Sequence, residues 1–416
     1  MNPTPGPRFS ARARTLQRID RLAGVPACAV LTAVRRLGDL FGGSAAGGET
    51  GSIVFLKLAE QGSTVLAYDA IRAAVDRVGR DRVYLLAFEE NRFIVDVLGL
   101  IPERNVLTIR TRSLGSMIAS ALARLRELRR MRLGACIDME FFARTSAAIC
   151  YLTGARRRVG FHTYFREGPY RGDLMTHRVL YNPHLHTNRT FTSLVQALDA
   201  DPRLLPTFPL NPPPPSPLPL FRPAPGEVAE VHRMIAGLGV PEGGRLILLN
   251  ANAGDLLPLR RWEASNYVEL ARRLLAEFPG LCIGFTGAPE EKAIVAGLVA
   301  QVASPRCVCL AGKTSLRQLL VAYGLAEVLV TNDSGPAHCA ALTPIDVVAL
   351  FGPETPLLFA APGPRSHPLW AGLACSPCIN AFNNRQTACR DNACLRAIAV
   401  EQVFETVCAI FRKRTG

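Results

Sequence analysis

The residues with the most chemistry in this 416-residue chain form the run Asn332-Asp333-Ser334-Gly335-Pro336-Ala337-His338, set between the apolar stretches Leu329–Thr331 and Val347–Phe351. Both stretches are aliphatic and β-branched enough to form buried parallel strands. Asn332, Asp333 and Ser334 are helix N-cap types, and Gly335 lets a ligand approach the backbone closely. A strand that passes into a capped helix start aims backbone N–H groups, and the positive end of the helix dipole, above the sheet edge. That arrangement suits a diphosphate. His338, one turn further on, either touches the same anion or is a buried, satisfied histidine. Asn250 and Asn252 end another strand-like run, where they either bond phosphate or sugar or cap the turn.

Other chemistry is excluded or left open. The chain has no Gly-x-Gly-x-x-Gly after a strand and no Gly-x4-Gly-Lys-Ser/Thr, which argues against a dinucleotide oxidoreductase and a P-loop NTPase. Near the C-terminus stand Cys375-x2-Cys378, Cys389 and Cys394. The first pair has zinc-like spacing, and four thiolates can close a tetrahedral structural site. Reduced thiols are the favoured alternative, because twelve cysteines without an export signal point to a reducing compartment.

The elements that must position these residues alternate strand and helix. Strands are predicted over Ile53–Leu58, Val83–Phe88, Val106–Ile109, Ala135–Met139 and Arg158–Phe161, with helices over Thr64–Val78 and Leu114–Met131. A second set covers Leu246–Asn250, Cys282–Phe285, Val308–Leu310, Val328–Thr331 and Val347–Phe351, with helices over Ala264–Glu277, Glu290–Val302 and Ser315–Tyr323. This alternation means parallel sheets with right-handed crossovers. Eleven prolines between Pro202 and Pro225 mark a stiff linker between the two sets. The expected organisation is a basic extension over 1–50, a first domain over 51–205, a linker over 206–226 and a second domain over 227–416. Open α/β sheets bind ligands at the carboxyl ends of their strands, so a cleft between two such domains is expected to hold the site. The last helix, near Val400–Arg412, has a possible docking place on the first domain.

Composition bounds the partners. The apolar share of 49% and charged share of 20% describe an ordinary globular protein. No apolar run reaches the ~18 residues that span a bilayer. The longest, Leu22–Val34, is broken by Pro26 and followed by Arg35 and Arg36 without a small-residue cleavage site, which argues against a signal peptide. A cytoplasmic location follows. The net charge of +14 is uneven: residues 1–225 hold 31 Lys+Arg against 18 Asp+Glu, the remainder 17 against 16. The basic half suits a polyanion. Its arginine stretch Arg124–Arg132 has no interleaved aromatic residue, which argues against nucleic acid and for an anionic leaflet or phosphorylated glycolipid. The arginines among residues 8–21 give a weak amphipathic signal, read either as a helix on the inner membrane surface or as a packing helix.

Four segments together resemble glycosyltransferase family 9, the ADP-heptose:lipopolysaccharide heptosyltransferases and their relatives. They are Phe55–Arg72 (FLKLAEQGSTVLAYDAIR), Leu248–Trp262 (LLNANAGDLLPLRRW), Leu310–Leu316 (LAGKTSL), and Asn332–His338 with Leu350–Pro356 (LFGPETP). The resemblance implies an α/β GT-B architecture, two Rossmann-like parallel-sheet domains facing a central cleft. It also implies an inverting mechanism, a nucleotide-diphosphate sugar donor and no required metal or other cofactor. By the same resemblance Asp333, Ser334, Gly335 and His338 contact the donor diphosphate. Arg260 and Arg261 would neutralise phosphate oxygens, Glu290 would hold the nucleoside ribose, and Lys313 and Thr314 would reach the nucleotide. Related transferases also carry a cysteine-rich tail without a required metal.

One departure stands out. Relatives place an aspartate, the base, directly after the glycine of the first segment; here Gly62 is followed by Ser63, too weak a base unaided. Glu60, in the same strand-to-helix loop, is the expected base, with Asp69 a poor second. Lys57 would meet an acceptor phosphate or a backbone carbonyl. The expected activity is transfer of a heptose-like sugar from a nucleotide-diphosphate donor to a lipopolysaccharide-core or similar anionic glycan. Two rivals stand beside it: a non-catalytic nucleotide-sugar binder that has lost its base, and an epimerase or hydrolase on the same fold.

Overall fold

The computed structural model describes residues 20–41, 50–164, 168–202, 215–241, 243–253, 258–383 and 385–414. Most of the expected helical stretch over residues 8–21, of the glycine-rich segment over 42–51 and of the expected proline linker lies outside the described residues. Two compact units form, one from residues 20–216 with 379–386, the other from residues 217–378 with 387–414.

The N-terminal unit holds β1 (Ile53–Leu56), β2 (Val83–Phe88), β3 (Val106–Ile109), β4 (Ala135–Asp138), β5 (Arg157–Phe161) and β6 (His177–Val179). All pair in parallel, in the order β3-β2-β1-β4-β5-β6. The crossovers use α1 (Gly24–Leu40, ahead of β1), α2 (Gln61–Leu66), α3 (Tyr68–Val78), α4 (Arg92–Leu98), α5 (Leu114–Arg130), α6 (Arg144–Leu152) and α7 (Thr187–Gln196). Every residue of β1 and β4 is buried, as parallel strands covered on both faces must be. The register sets Leu56 beside Leu86 on one side and Asp138 on the other, so β1 and β4 end level. The helix expected over Thr64–Val78 starts earlier and divides at Ala67, where the backbone tightens and the Ala67 N–H reaches the Thr64 carbonyl.

The C-terminal unit repeats the winding. Its strands are β7 (Arg245–Asn250), β8 (Leu281–Phe285), β9 (Cys307–Cys309), β10 (Val328–Asn332), β11 (Asp346–Phe351) and β12 (Ser366–Trp370). They order as β12-β11-β10-β7-β8-β9, again parallel. The helices are α8 (Glu227–Ala236), α9 (Ala264–Glu277), α10 (Lys292–Val302), α11 (Leu316–Leu325), α12 (Gly335–Ala340), α13 (Pro356–Phe359), α14 (Ala393–Arg396) and α15 (Val400–Lys413). The last of these packs on its own unit. Val403, Val407, Cys408, Ile410 and Phe411 of α15 share one core with Ile247, Ile283, Val330 and Leu350. The reason is the apolar stripe itself, worth roughly 1.5–3 kcal/mol for each large side chain removed from water. Arg245 pins the helix end by donating to the Phe411 carbonyl and stacking over its ring.

Strands β6 and β12 were not expected. Both are sheet edges, and neither carries an apolar run; β12 even holds Pro368, which an edge strand tolerates because one side of its backbone needs no partner. In each sheet the strand order reverses once, between β1 and β4 and between β7 and β10. Ligands of open α/β sheets sit above such reversals.

Candidate functional site

At the β1/β4 reversal the residues after both strands knit together. Lys57 is buried, and its ammonium donates to the Ala59 carbonyl at 2.6 Å and to Glu140 Oε1 at 3.0 Å. The same Glu140 oxygen accepts from the backbone N–H groups of Leu58 and Ala59 at 2.8 and 3.1 Å. One carboxylate therefore holds the whole exit from β1. Of the two partners expected for Lys57, the backbone carbonyl is the one found.

Behind Glu140 lies a second, deeper layer. Asp138 is fully buried and pairs with the equally buried Arg171; it also accepts from the Ser146 hydroxyl at 2.9 Å and the Glu140 N–H at 3.0 Å. Burial raises the Asp138 carboxyl to about 6, against the opposing pull of Arg171. Arg171 also donates to the carbonyls of Phe141, Glu140 and Phe161, so it fixes the loop that carries Glu140.

Glu60 sits at the mouth of this arrangement. Its backbone is left-handed (φ 67°, ψ 87°), a conformation that non-glycine residues adopt at a cost of about 1–3 kcal/mol. Its carboxylate Oε1 pairs with Arg385, while Oε2 accepts from the Ser63 hydroxyl at 3.2 Å. Gly62 and Ser63 are buried in the first turn of α2. Arg385 arrives on residues 379–386, where Phe382 packs edge-on against Tyr181 at 5.1 Å and tilted against Phe142 at 5.7 Å. Burial lowers the Arg385 guanidinium to about 10. Asp69 is engaged elsewhere, accepting from Asn188 Nδ2 and the Ser216 N–H.

In the C-terminal unit the β7/β10 reversal is held by Asn332. Its amide donates to the carbonyls of Ala251 and Asn252 and accepts from the Trp262 N–H at 2.9 Å. Asn250 turns inward, donating to Thr286 Oγ1 at 3.0 Å and accepting from the Asn252 N–H at 3.1 Å. Asn252 Nδ2 is buried with no hydrogen-bond partner among the described residues. The Ser334 hydroxyl donates back to the Asn332 carbonyl at 3.0 Å, so no side chain caps the start of α12. His338 is buried in that helix.

Arg260 is not on the surface. It donates to Glu354 Oε1 at 2.6 Å and lies 3.8 Å from Asp333 Oδ2. Burial disfavours its charge, but Glu354 and Asp333 more than compensate, and its affinity for the proton rises. Burial likewise raises Asp333, and lifts Glu354 to about 7. Arg261 follows in the same turn, its carbonyl held by Asn392 Nδ2.

Farther along the same sheet edge, the Gly312 N–H donates to the Gly287 carbonyl at 3.0 Å. Gly312 has φ +68° and sits so near Pro289 that a side chain there would lie 3.1 Å from its Cα. This contact brings Lys313 and Thr314 alongside the turn that carries Glu290. Glu290 and Lys313 are exposed, whereas the neighbouring Glu291 caps the turn by accepting from the Ala288 N–H at 2.7 Å.

Asp138, Glu140, Arg171, Glu354 and Arg385 were not singled out from the sequence. For Asp138 and Glu140 a signal existed, since both follow directly on an apolar strand run. Arg385 had none, lying more than 300 residues from its partner. Cys375, Cys378, Cys389 and Cys394 all line one small cavity of about 170 Å³, as free thiols. Among the described residues no group of three or more His, Cys, Asp or Glu side chains is arranged to hold a metal ion.

The family model for glycosyltransferase family 9 (heptosyltransferase) matches residues 122–388. The chain is 34% identical over 102 residues to lipopolysaccharide heptosyltransferase 2 of Salmonella typhimurium, a stretch covering 24% of this chain and 29% of that protein. Less than a third of that relative's length is therefore spanned. Among solved structures, the ADP-heptose lipopolysaccharide heptosyltransferase II of E. coli superposes with a TM-score of 0.66 at 20% identity, covering 88% of this chain and all of that one. The E. coli heptosyltransferase WaaC with ADP gives 0.58 at 16% identity, covering 86% and 99%. These likenesses establish the fold as the expected α/β, GT-B type with two Rossmann-like sheets.

Proposed function

The chain belongs to glycosyltransferase family 9 (heptosyltransferase), and from that premise we propose that it transfers a heptose-like sugar from a nucleotide-diphosphate donor, ADP-heptose in the first instance, to a lipopolysaccharide-core or similar anionic glycan. The observation that carries this reading is the corner above β7 and β10. There an uncapped helix start follows Asp333, Arg260 is pressed against it, and Asn252 offers a buried donor group with nothing among the described residues to receive it. Unsatisfied buried donors are costly, and a diphosphate oxygen would satisfy this one. Asn252, Ser334, Gly335, His338 and Arg261 would hold the diphosphate, with Arg260 keeping Asp333 and Glu354 in place behind them. Asn250 acts inside the fold, orienting Asn252. Lys313, Thr314 and Glu290, on the adjoining turns, would meet the nucleoside.

In the N-terminal unit Glu60 would take the proton of the acceptor hydroxyl. That oxygen would attack the anomeric carbon as the bond to the diphosphate breaks, inverting the centre in a single displacement. Ser63 and Arg385 each hold one oxygen of Glu60 and so orient it, while Lys57 and Glu140 set the loop. No metal or other cofactor is assigned a step. The acceptor would be a glycolipid in the inner leaflet, and the enzyme would work at the cytoplasmic membrane surface; no helix among the described residues is long and apolar enough to cross a membrane.

Calorimetric titration with ADP-heptose, ADP, UDP-sugars and GDP-sugars tests the donor site. Saturable binding of one nucleotide sugar is expected, weakened at least about tenfold, or ~1.4 kcal/mol, in folded Asn252→Ala protein. No binding of any of them would sink the proposal. A donor-binding homologue without activity is the second reading, favoured by the serine after Gly62; turnover lost in Glu60→Gln would dismiss it.

A further inference from the structure

The outer face of α1 is apolar where a surface helix is ordinarily charged. Val30, Val34, Leu37 and Phe41 recur at intervals of three and four residues, with Val30 62%, Leu37 56% and Phe41 88% exposed. The opposite face is the one that packs: Gly24, Cys28 and Thr32 are buried, and Arg35 turns in to Asp173 at 2.6 Å. From Arg21 to Phe41 the exposed charged side chains are Arg21, Arg36 and Asp39 alone. On α5, Leu114, Ile118 and Leu122 repeat the pattern and are about half exposed, and the same helix ends in the exposed Arg126, Arg129 and Arg130. The two helices cover one face of the first sheet, since Cys28 and Leu31 of α1 and Met117, Ala121 and Leu128 of α5 join one core with Ala147 and Cys150 of α6.

We propose that α1, with α5 on the same sheet face, is the surface on which this chain docks to an anionic lipid leaflet, its apolar stripe entering the headgroup boundary and the α5 arginines meeting lipid phosphates. An interfacial helix needs both features, and neither helix has the length or apolarity to span. Exposed apolar stripes on two helices that cover the same sheet face mark an interaction surface rather than scatter. A second copy of this chain is the poorer occupant, because a symmetric pairing of this face would bring the arginine-rich ends of α5 together. The inference deepens the proposed glycolipid acceptor and rests on that reading.

The test is flotation of the full-length chain with vesicles of phosphatidylcholine, alone or mixed with phosphatidylglycerol. The protein should float with the mixed vesicles, poorly with the neutral ones, and less as salt rises. The triple variant Val30→Glu, Val34→Glu, Leu37→Glu should lower the bound fraction at least about tenfold, as should Arg126→Glu with Arg129→Glu and Arg130→Glu. Circular dichroism and nucleotide-sugar titration on the same variants report whether they fold and keep the donor site. Failure of the parent chain to float, or undiminished flotation of the folded triple variant, would overturn the proposal. So would a dimer in light scattering that the same triple variant dissociates. Flotation without any nucleotide-sugar binding would leave the docking face standing and strike the functional reading instead.

Discussion

Glu60 concentrates the tension in this molecule. It is a non-glycine residue in a left-handed conformation, and its two carboxylate oxygens are held separately by Arg385 and Ser63. Among the described residues Arg132, Ala303, Arg385 and Asn392 share a positive φ, so it is the paired carboxylate together with the backbone that sets Glu60 apart. Glu60→Gln keeps the shape and the Ser63 contact but removes the proposed base. It should lower kcat by about 10²–10⁴ with donor binding unchanged, whereas Ser63→Ala should cost less than about tenfold, because it removes only an orienting hydrogen bond. Equal, small losses in the two variants would remove Glu60 from its role.

The elements above β10 are braced rather than free. Arg260, on the short turn after β7, reaches Asp333 after β10 and Glu354 after β11, so one guanidinium ties three strand ends together. Removing it strands two buried carboxylates, and Arg260→Ala should lower stability by about 3–5 kcal/mol in chemical denaturation. Adding Glu354→Gln to that variant should restore part of the loss, since one uncompensated charge is gone. The sequence made this corner only half legible. The Asp-Ser-Gly run was read as an anion cradle from its cap residues, which carry their meaning locally, whereas the two arginines were read as phosphate contacts only through the family resemblance. That Arg260 serves carboxylates of its own unit was not visible, because Glu354 lies in a different strand-to-helix turn and only the sheet brings the two together. The central strands were readable for the same reason as the cap residues: burial on both faces writes itself as an apolar run. The edge strands β6 and β12, wet on one side, left no such trace.

At the scale of the whole molecule, pH enters through groups buried in the first sheet. His177 on β6 is buried, and desolvation together with Arg157 and Arg158 lowers it to about 4 from an ordinary 6.5. The unfolded chain then binds the extra proton first, so this stability is complete above pH 6.5 and is lost as pH falls toward 4. The shift corresponds to about 3 kcal/mol at most. Asp138, raised to about 6, acts in the opposite direction over part of that window, so the cleanest measure is a difference. Thermal unfolding of His177→Gln and the parent chain should converge as pH is lowered from 7 to 4.5; parallel curves would show that His177 is not the group responsible.

The strap that carries Phe382 and Arg385 has a consequence for the order of synthesis. A chain leaving the ribosome completes the strands of its first unit within the first 180 or so residues, yet the partner of Glu60 is added some two hundred residues later. Throughout that interval the nascent protein holds a nearly finished unit whose Glu60 carboxylate lacks its cation. The core of the second sheet also waits, for α15. Translation halted between β12 and Arg385 would therefore leave the strands of both sheets made and the Glu60 carboxylate without its cation.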